Sequence, residues 1–218
     1  KDNPFIVPNG AIQVDGVAAE FNINPAETLD EFHANLLEVK KALWKAVRAK
    51  NADYVLKAFP AVSFTKKIWD KIPEEAKQLG CTPDWNAYTL APNPAPNAKQ
   101  MMRTGSGHIH ISWAEEEKDV TEEYIKDVAG LVAHLDYHLY PESRKWDDDV
   151  RRQRLYGAKG AFRPKSYGVE YRVLSNKWVE TGLTATYVFN TTKFITERWL
   201  AGLAVEDYNV KPFSVWGA

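Results

Sequence analysis

The chain has 218 residues, 44% of them hydrophobic, which is enough for one domain with a buried core. Its 28 basic and 29 acidic residues nearly cancel, so no strong field attracts nucleic acid or an anionic membrane. Cys81 is the one cysteine, which excludes an internal disulfide, and no run of about 20 apolar residues is present to span a bilayer. We therefore expect a single soluble domain over residues 1–218, in a reducing compartment such as the cytoplasm, without nucleic-acid or membrane partners.

The first predicted elements are a strand and a helix. Residues 18–23 alternate apolar and polar side chains, and Glu20 lies on the polar face. Thr28 and Glu31 have the spacing of a capping box, which marks the start of a helix. Apolar residues then recur at three- and four-residue steps: Leu29, Phe32, Leu36, Val39, Leu43 and Val47. This pattern predicts an amphipathic helix that begins after Thr28.

The middle of the chain contains a loop signal and a second strand. The Pro- and Asn-rich segment from Ala91 to Asn97 predicts a loop. Residues 108–113 alternate again, with Ile109 and Ile111 on the apolar face and His108 and His110 on the polar face. Two histidines on a strand face are typical both of ligand contacts and of a half-exposed surface, and the alternation does not decide between them.

Further helices are predicted from about Thr121 to Leu139, after Asp147, and between Leu183 and Leu200. The first of these carries His134 and His138 four residues apart with Asp136 between them. That spacing is compatible with zinc, but the adjacent glutamate of a His-Glu-x-x-His site is missing, so helix-surface residues are the favoured interpretation. The acidic and then basic residues of 147–154 are interpreted as a solvated helix start.

The third alternating segment, residues 166–173, places Glu170 and Arg172 on its polar face. Helices and alternating strands together predict an α+β fold, in which helices cover the apolar face of a mainly antiparallel sheet. The opposite face would then carry the polar strand residues: Glu20, His108, His110, Glu170 and Arg172. A simple surface ion pair between Glu170 and Arg172 is the alternative to a functional site.

The residue types on this face favour a site for a metal and a nucleotide. Mg²⁺ prefers oxygen ligands, so Glu20 and Glu170 are the better candidates for metal ligands, and His108 and His110 for contacts to phosphate or ribose. Arg172 has the forked guanidinium that suits phosphate. The glycine-containing loop 156–165 adds three further cations, Lys159, Arg163 and Lys165, without the spacing of a P-loop.

Three segments of the chain resemble motifs of glutamine synthetase, in the same order. Residues 18–23 resemble its metal-ligand strand, residues 105–110 resemble its glycine-led His-x-His strand, and residues 168–172 resemble its late Glu-x-Arg strand. The segment from Tyr156 to Lys177 is most similar to the phage carboxylate-amine ligase type 2 family of the glutamine synthetase and glutamate-cysteine ligase superfamily. The resemblance extends from Gly10 to about Thr192.

This resemblance implies a glutamine-synthetase-like fold and an ATP-dependent ligase that joins a carboxylate to an amine through an acyl phosphate. It implies ATP with Mg²⁺ or Mn²⁺ as cofactors, Glu20 and Glu170 as metal ligands, and His108 as a metal or phosphate contact. Arg172 would bind the ATP phosphates and Arg163 the transferred phosphoryl group. Partners would be small-molecule or peptide carboxylates and amines, with a homo-oligomer or a phage particle as open alternatives and host cytoplasm as the location of a phage-encoded protein.

One motif of the family is missing before Gly10: an Asp-Pro-Glu strand that supplies another metal carboxylate. Two interpretations follow from this departure. Either that N-terminal strand lies outside the sequence, or the protein is a catalytically inactive phage structural or binding protein that retains the ligase fold.

Overall fold

The computed structural model describes residues 4–77, 84–94, 101–113, 116–154, 156–204, 210 and 213. Contacts between residues divide the chain into two compact units. The first unit comprises Lys1–Ala58 and Ser63–Leu79, and the second comprises Phe59–Val62 and Gly80–Ala218. The prediction of a single domain stays a prediction. Cys81 and the end of the predicted Pro- and Asn-rich loop lie outside the described residues.

The first unit contains an antiparallel sheet and a long helix. Its strands are β1 (Phe5–Val7), β2 (Gly10–Asp15) and β3 (Ala18–Ile23), in the spatial order β1-β2-β3. Helix α1 (Leu29–Lys50) packs against β2 and β3, and the short helices α2 (Lys66–Trp69) and α3 (Glu74–Lys77) follow. Ile12, Val39 and Leu43 form a buried core against which Phe21 and Ile23 pack, so the predicted apolar face of β3 contacts the helix.

The start of α1 agrees with the capping box predicted from the sequence. The Thr28 side chain accepts a hydrogen bond from the Glu31 backbone N–H (3.3 Å), and the Glu31 carboxylate accepts one from the Thr28 backbone N–H (3.2 Å). Two of the four N–H groups that a helix leaves unpaired at its start are satisfied in this way. The helix and its apolar face are confirmed, since Phe32, Leu36, Val39 and Leu43 are buried.

The second unit contains a five-stranded antiparallel sheet with the spatial order β6-β5-β9-β10-β8. Its strands are β5 (Trp85–Asn86), β6 (Ala91–Pro92), β8 (Ile109–Ser112), β9 (Ala161–Lys165) and β10 (Gly168–Tyr171). Strand β4 (Ala61–Ser63) runs from the second unit into the first, and β7 (Met102–Thr104) belongs to the second. The segment predicted as a loop from Ala91 therefore begins with the short strand β6.

The helices of the second unit are α4 (Glu122–Ser143), α5 (Val150–Gln153) and α6 (Gly182–Leu200), with a 3₁₀ helix at Asn176–Val179. All three predicted helices are present within a few residues of the expected bounds. Helix α4 packs along α6 and contacts β9 and β10, and its apolar residues Val128, Leu131 and Leu135 are buried. The molecule is thus an α+β protein with antiparallel sheets, and no described helix has the length and apolarity that a membrane span requires.

The central strand β10 differs from its predicted form in one respect. All four of its residues are buried, including Glu170, and Arg172 just after it is buried as well. The sequence predicts an open polar face here. The physical reason for the difference is that oppositely charged neighbours on β9 and before β5 pair with these side chains, which makes their burial tolerable.

Candidate functional site

The sheet of the second unit brings polar residues from three adjacent strands together. In the antiparallel register, Glu170 of β10 lies opposite His110 of β8 on one side and Arg163 of β9 on the other. Gly168 lies opposite Lys165, so Lys165 and Arg163 line the same side of Glu170. Directly opposed residues project to the same face of a sheet, which is why these side chains meet.

Glu170 is surrounded by basic side chains. Its Oε1 contacts Nη1 of Arg172 and lies 3.0 Å from Nδ1 of His108. Its Oε2 lies 3.4 Å from Nζ of Lys165 and 3.7 Å from Nη1 of Arg163. Four residues that the sequence predicts for the site, His108, Arg163, Glu170 and Arg172, therefore lie at one place in the structure.

A second buried carboxylate, Asp84, belongs to the same group and is absent from the residues predicted from the sequence. Its Oδ1 lies 2.6 Å from Nε of Arg172 and 3.5 Å from Nε of Arg163. The β5–β9 register pairs Trp85 with Phe162, and its continuation places Asp84 opposite Arg163. Asp84 is one acid beside a two-residue strand, too short to show alternation, so the sequence carries no periodic signal for it.

We refer to Asp84, Arg163, Lys165, Glu170 and Arg172 as the charged cluster. It contains three cations and two carboxylates, and therefore an excess of positive charge. The side chains of Asp84, Glu170 and Arg172 are each 5% exposed, whereas that of Arg163 is 22% exposed and that of Lys165 is 32% exposed. The accessible part of the charged cluster is thus its cationic part, which is chemically suited to an anion.

Burial and the charges of the cluster set the pKa values of its two carboxylates and of the adjacent His108. Burial would raise the pKa of Glu170, but the hydrogen bond with His108 and the charge of Arg172 hold that pKa well below its usual range. Burial lowers the pKa of His108 to about 4, so its imidazole is neutral at pH 7. Burial raises the pKa of Asp84, and the charges of Arg172 and Arg163 oppose that shift. The neutral Nδ1 of His108 either donates to Glu170 or accepts from Arg172, and cannot do both.

His110 is exposed, and its Nδ1 lies 2.5 Å from the hydroxyl oxygen of Tyr167. The buried part of the His110 ring lowers its pKa as well, although Glu170 opposes this shift. Lys159, predicted as a nucleotide contact, packs against Tyr88, with its Nζ 5.0 Å from the centre of the Tyr88 ring. Among the ion pairs of the described residues, none joins Lys159 to the charged cluster.

The prediction of a loop over residues 156–165 is wrong for the second half of the segment, which forms strand β9 (Ala161–Lys165), and the glycines of the first half have packing reasons in the structure. Gly157 and Gly160 have the left-handed φ angles of 80° and 84° that favour glycine. A Cβ at Gly157 would collide with the guanidinium of Arg152, and one at Gly160 would lie 2.8 Å from the Tyr88 ring. Both glycines are thus explained by close packing inside the protein, without a phosphate.

Arg152 is buried, which makes the interpretation of residues 147–154 as a solvated helix start wrong for this residue and for Asp147. Its guanidinium donates hydrogen bonds to the carbonyl oxygens of Val173 (2.6 Å) and Arg172 (3.1 Å) and to Oγ of Ser106 (3.0 Å). These bonds tie the end of β10 to the segment that leads into His108. Arg152 therefore connects two parts of the candidate site, through backbone carbonyls after β10 and through the Ser106 side chain.

Asp136, which lies between His134 and His138 in the sequence, is a further buried carboxylate. It accepts hydrogen bonds from the hydroxyls of Tyr171 (2.6 Å) and Tyr88 (3.1 Å). Burial raises its pKa to about 6, against the effect of these two hydrogen bonds. Its neighbours His134 and His138 are half-buried on the same helix.

The donors predicted for a resident metal are distributed over both units. Glu20 lies in the first unit, is exposed, and accepts a hydrogen bond from Nε2 of Gln13 (2.9 Å). Glu170 and His108 lie in the second unit, and the Glu170 carboxylate is already paired with cations. Within the part of the chain that the structure describes, no group of three His, Cys, Asp or Glu residues could hold a metal ion. The cations that surround Glu170 make its immediate surroundings chemically suited to an anion.

No family model matches the chain, and neither a curated protein nor a solved structure does. The resemblance to the carboxylate-amine ligases thus stays a prediction from the motifs.

Proposed function

We propose that the protein is an ATP-dependent carboxylate-amine ligase with a glutamine-synthetase-like fold. The observation that supports this most is the charged cluster, whose excess positive charge is carried by its two most accessible members, Arg163 and Lys165. Phosphoryl transfer requires positioned cations more than covalent participation by the protein. The order of the three sequence motifs along the chain supports the same proposal.

In the proposed reaction, a carboxylate oxygen of the acid attacks the γ-phosphorus of ATP. An acyl phosphate forms and ADP leaves with the electron pair of the broken P–O bond. The nitrogen of the amine then attacks the acyl carbon, the bond from that carbon to the phosphate oxygen breaks, and inorganic phosphate leaves. The amine loses a proton, and an amide or peptide-like bond results.

The residues of the charged cluster have distinct parts in this proposal. Arg163 and Lys165 contact the phosphoryl oxygens, because their side chains are the more exposed cations of the cluster. Arg172 contributes positive charge from a buried position between Asp84 and Glu170. Mg²⁺ or Mn²⁺ is proposed to arrive with the nucleotide, since Mg²⁺ takes much of its coordination from phosphates and water.

The test is ADP formation by the whole chain with ATP, Mg²⁺ and a panel of carboxylates and amines. With an ¹⁸O-labelled carboxylate, the acyl phosphate route moves one labelled oxygen into inorganic phosphate, and mass spectrometry of the phosphate detects it. Label in AMP instead, or the absence of any ADP formation and of any calorimetric binding of ATP, would contradict the proposal.

A matched pair of variants connects the activity to the charged cluster. Lys165→Met removes a cation beside Glu170, whereas Lys145→Met removes the same charge from an exposed ion pair with Glu142 on another part of the second unit. We expect Lys165→Met to weaken nucleotide binding about tenfold, since a hydrogen bond to a charged group contributes about 1.5–3 kcal/mol. Lys145→Met should bind nucleotide as the unmodified chain does.

A phage structural or binding protein without turnover is the second candidate. The observation in its favour is that Glu170, the expected metal ligand, is within ion-pair distance of Arg163 and Lys165 and contacts Arg172. Binding of ATP without ADP formation across the substrate panel would support this candidate over the ligase.

A further inference from the structure

Asp84 has a geometric relation to both arginines of the charged cluster. It is buried, and its Oδ1 is within ion-pair distance of Nε of Arg172 and Nε of Arg163. The same two arginines contact Glu170 through their Nη1 atoms. The two carboxylates therefore alternate with the two guanidinium groups, and each guanidinium has a carboxylate oxygen within ion-pair distance of two of its nitrogens.

Ion-pair contacts at two different nitrogens restrict the orientation of a guanidinium group more than one contact does. Arg163 of β9 and Arg172, just after β10, carry like charges, and without a carboxylate between their Nε atoms they would repel one another. Arg163 is also partly exposed, so its side chain would gain rotational freedom if Asp84 lost its charge. Asp84 thus limits the orientations of the cation that faces solvent.

We infer that Asp84 is a positioning residue, which fixes the guanidinium planes of Arg163 and Arg172 so that Arg163 presents a fixed set of donors to the phosphates of a bound nucleotide. This inference rests on the proposed function, because it assigns the task of a residue in that same site. A triphosphate presents several phosphoryl oxygens in a row, so its binding depends strongly on a fixed orientation of the guanidinium donors.

A role of Asp84 in neutralising charge and a role in positioning the arginines predict opposite changes in the affinity for a triphosphate. If Asp84 only neutralised charge, Asp84→Asn would increase the excess positive charge of the cluster and bind a triphosphate more tightly. If Asp84 positions the arginines, the same substitution weakens binding despite the added positive charge. The sign of the change in affinity separates the two roles.

The experiment is calorimetric titration of the whole chain with two probes, adenylyl imidodiphosphate with Mg²⁺ and tripolyphosphate alone. We expect Asp84→Asn to weaken binding of both probes about tenfold, which is about 1.4 kcal/mol. Equal or tighter binding by Asp84→Asn, with the unmodified chain binding normally, overturns the positioning role and leaves the proposed function standing. Binding of neither probe by the unmodified chain overturns the proposed function and this inference with it.

A second variant keeps the net charge constant and applies even if Asp84→Asn does not fold. Arg163→Lys retains the cation but lacks the Nε donor that faces Asp84, so we expect it to weaken triphosphate binding by a similar factor. Binding by Arg163→Lys at the affinity of the unmodified chain contradicts the inference. A further readout is the ¹⁵N NMR signal of the arginine Nε–H groups, which reports how fast their protons exchange with water. Slow exchange at Arg163 and Arg172 in the unmodified chain should be lost in Asp84→Asn. Retention of slow exchange in that variant contradicts a positioning role.

Discussion

Two strand glutamates with the same sequence pattern have opposite surroundings. Glu20 of β3 is exposed and has a neutral hydrogen-bond partner, Gln13. Glu170 of β10 is buried and contacts three cations and a histidine. Alternation in the sequence thus assigns a residue to a face of the sheet, whereas the neighbouring strands decide whether that face is solvated or charged.

The position of each strand in its sheet is the physical reason for the difference. Strand β3 is at the edge of a three-stranded sheet, so it has a neighbour on one side only. Strand β10 lies between β9 and β8, and these two strands place Arg163 and His110 directly opposite Glu170. A central strand has neighbours on both sides, and the cations of β9 together with Arg172 permit a carboxylate to be buried there.

The largest effect should come from removing the charge of each glutamate in turn. We expect Glu170→Gln to lower the free energy of unfolding by about 3–5 kcal/mol, because it leaves buried cations without their counter-charge. Glu20→Gln, at an exposed position, should change it by no more than about 0.5 kcal/mol. Denaturant unfolding of both variants measures the difference, and equal effects would contradict the contrast between the two strands.

Asp136 differs from Glu170 in its partners, because it is a buried carboxylate that accepts hydrogen bonds from tyrosine hydroxyls. Its pKa is raised to about 6 in the folded protein, whereas that of Glu170 is lowered. The raised pKa means that the folded state keeps a proton which the unfolded state releases at lower pH. The contribution of Asp136 to stability is therefore present below about pH 4 and is lost as the pH rises to about 6, while that of Glu170 is lost as the pH falls.

Asp136→Asn cannot ionise, so we expect the variant to keep the stability that the unmodified chain loses when Asp136 ionises. Near pH 7 its free energy of unfolding should exceed that of the unmodified chain by up to about 3 kcal/mol, since a pKa difference of one unit is about 1.4 kcal/mol. The asparagine oxygen still accepts a tyrosine hydrogen bond. Urea unfolding between pH 4.5 and 7.5 measures the profile, with Asp127→Asn, an exposed residue of the same helix, as the control. An unchanged pH profile in Asp136→Asn would show that the raised pKa is wrong.

A smaller loss of stability than at Glu170 is expected at Thr28, where the local sequence alone explains the structure. Thr28→Ala removes the side-chain acceptor of the capping box at α1 and should lower the free energy of unfolding by about 1 kcal/mol. Thr28→Ser keeps the hydroxyl and should restore most of that loss. Thermal unfolding of the two variants makes the measurement, and a Thr28→Ser variant as unstable as Thr28→Ala would argue against the cap.

Local patterns in the sequence predicted part of the elements that the structure describes: helices α1, α4, α5 and α6 and strands β3, β8 and β10. The capping box at Thr28, the apolar repeats of α1, α4 and α6, and the alternation around β3, β8 and β10 each depend on residues within a few positions of one another. Backbone hydrogen bonding and side-chain periodicity act over that same short range, which is why the elements could be predicted.

The composition of the site was decided by the tertiary structure. Asp84 is more than 75 residues from Arg163 in the sequence and meets it only because β5 pairs with β9. Asp136 and Arg152 look like surface residues in the sequence and are buried because tyrosine hydroxyls and backbone carbonyls of distant segments satisfy them. Burial of a charged group depends on partners that strand pairing and helix packing supply, and no local pattern encodes which partners these are.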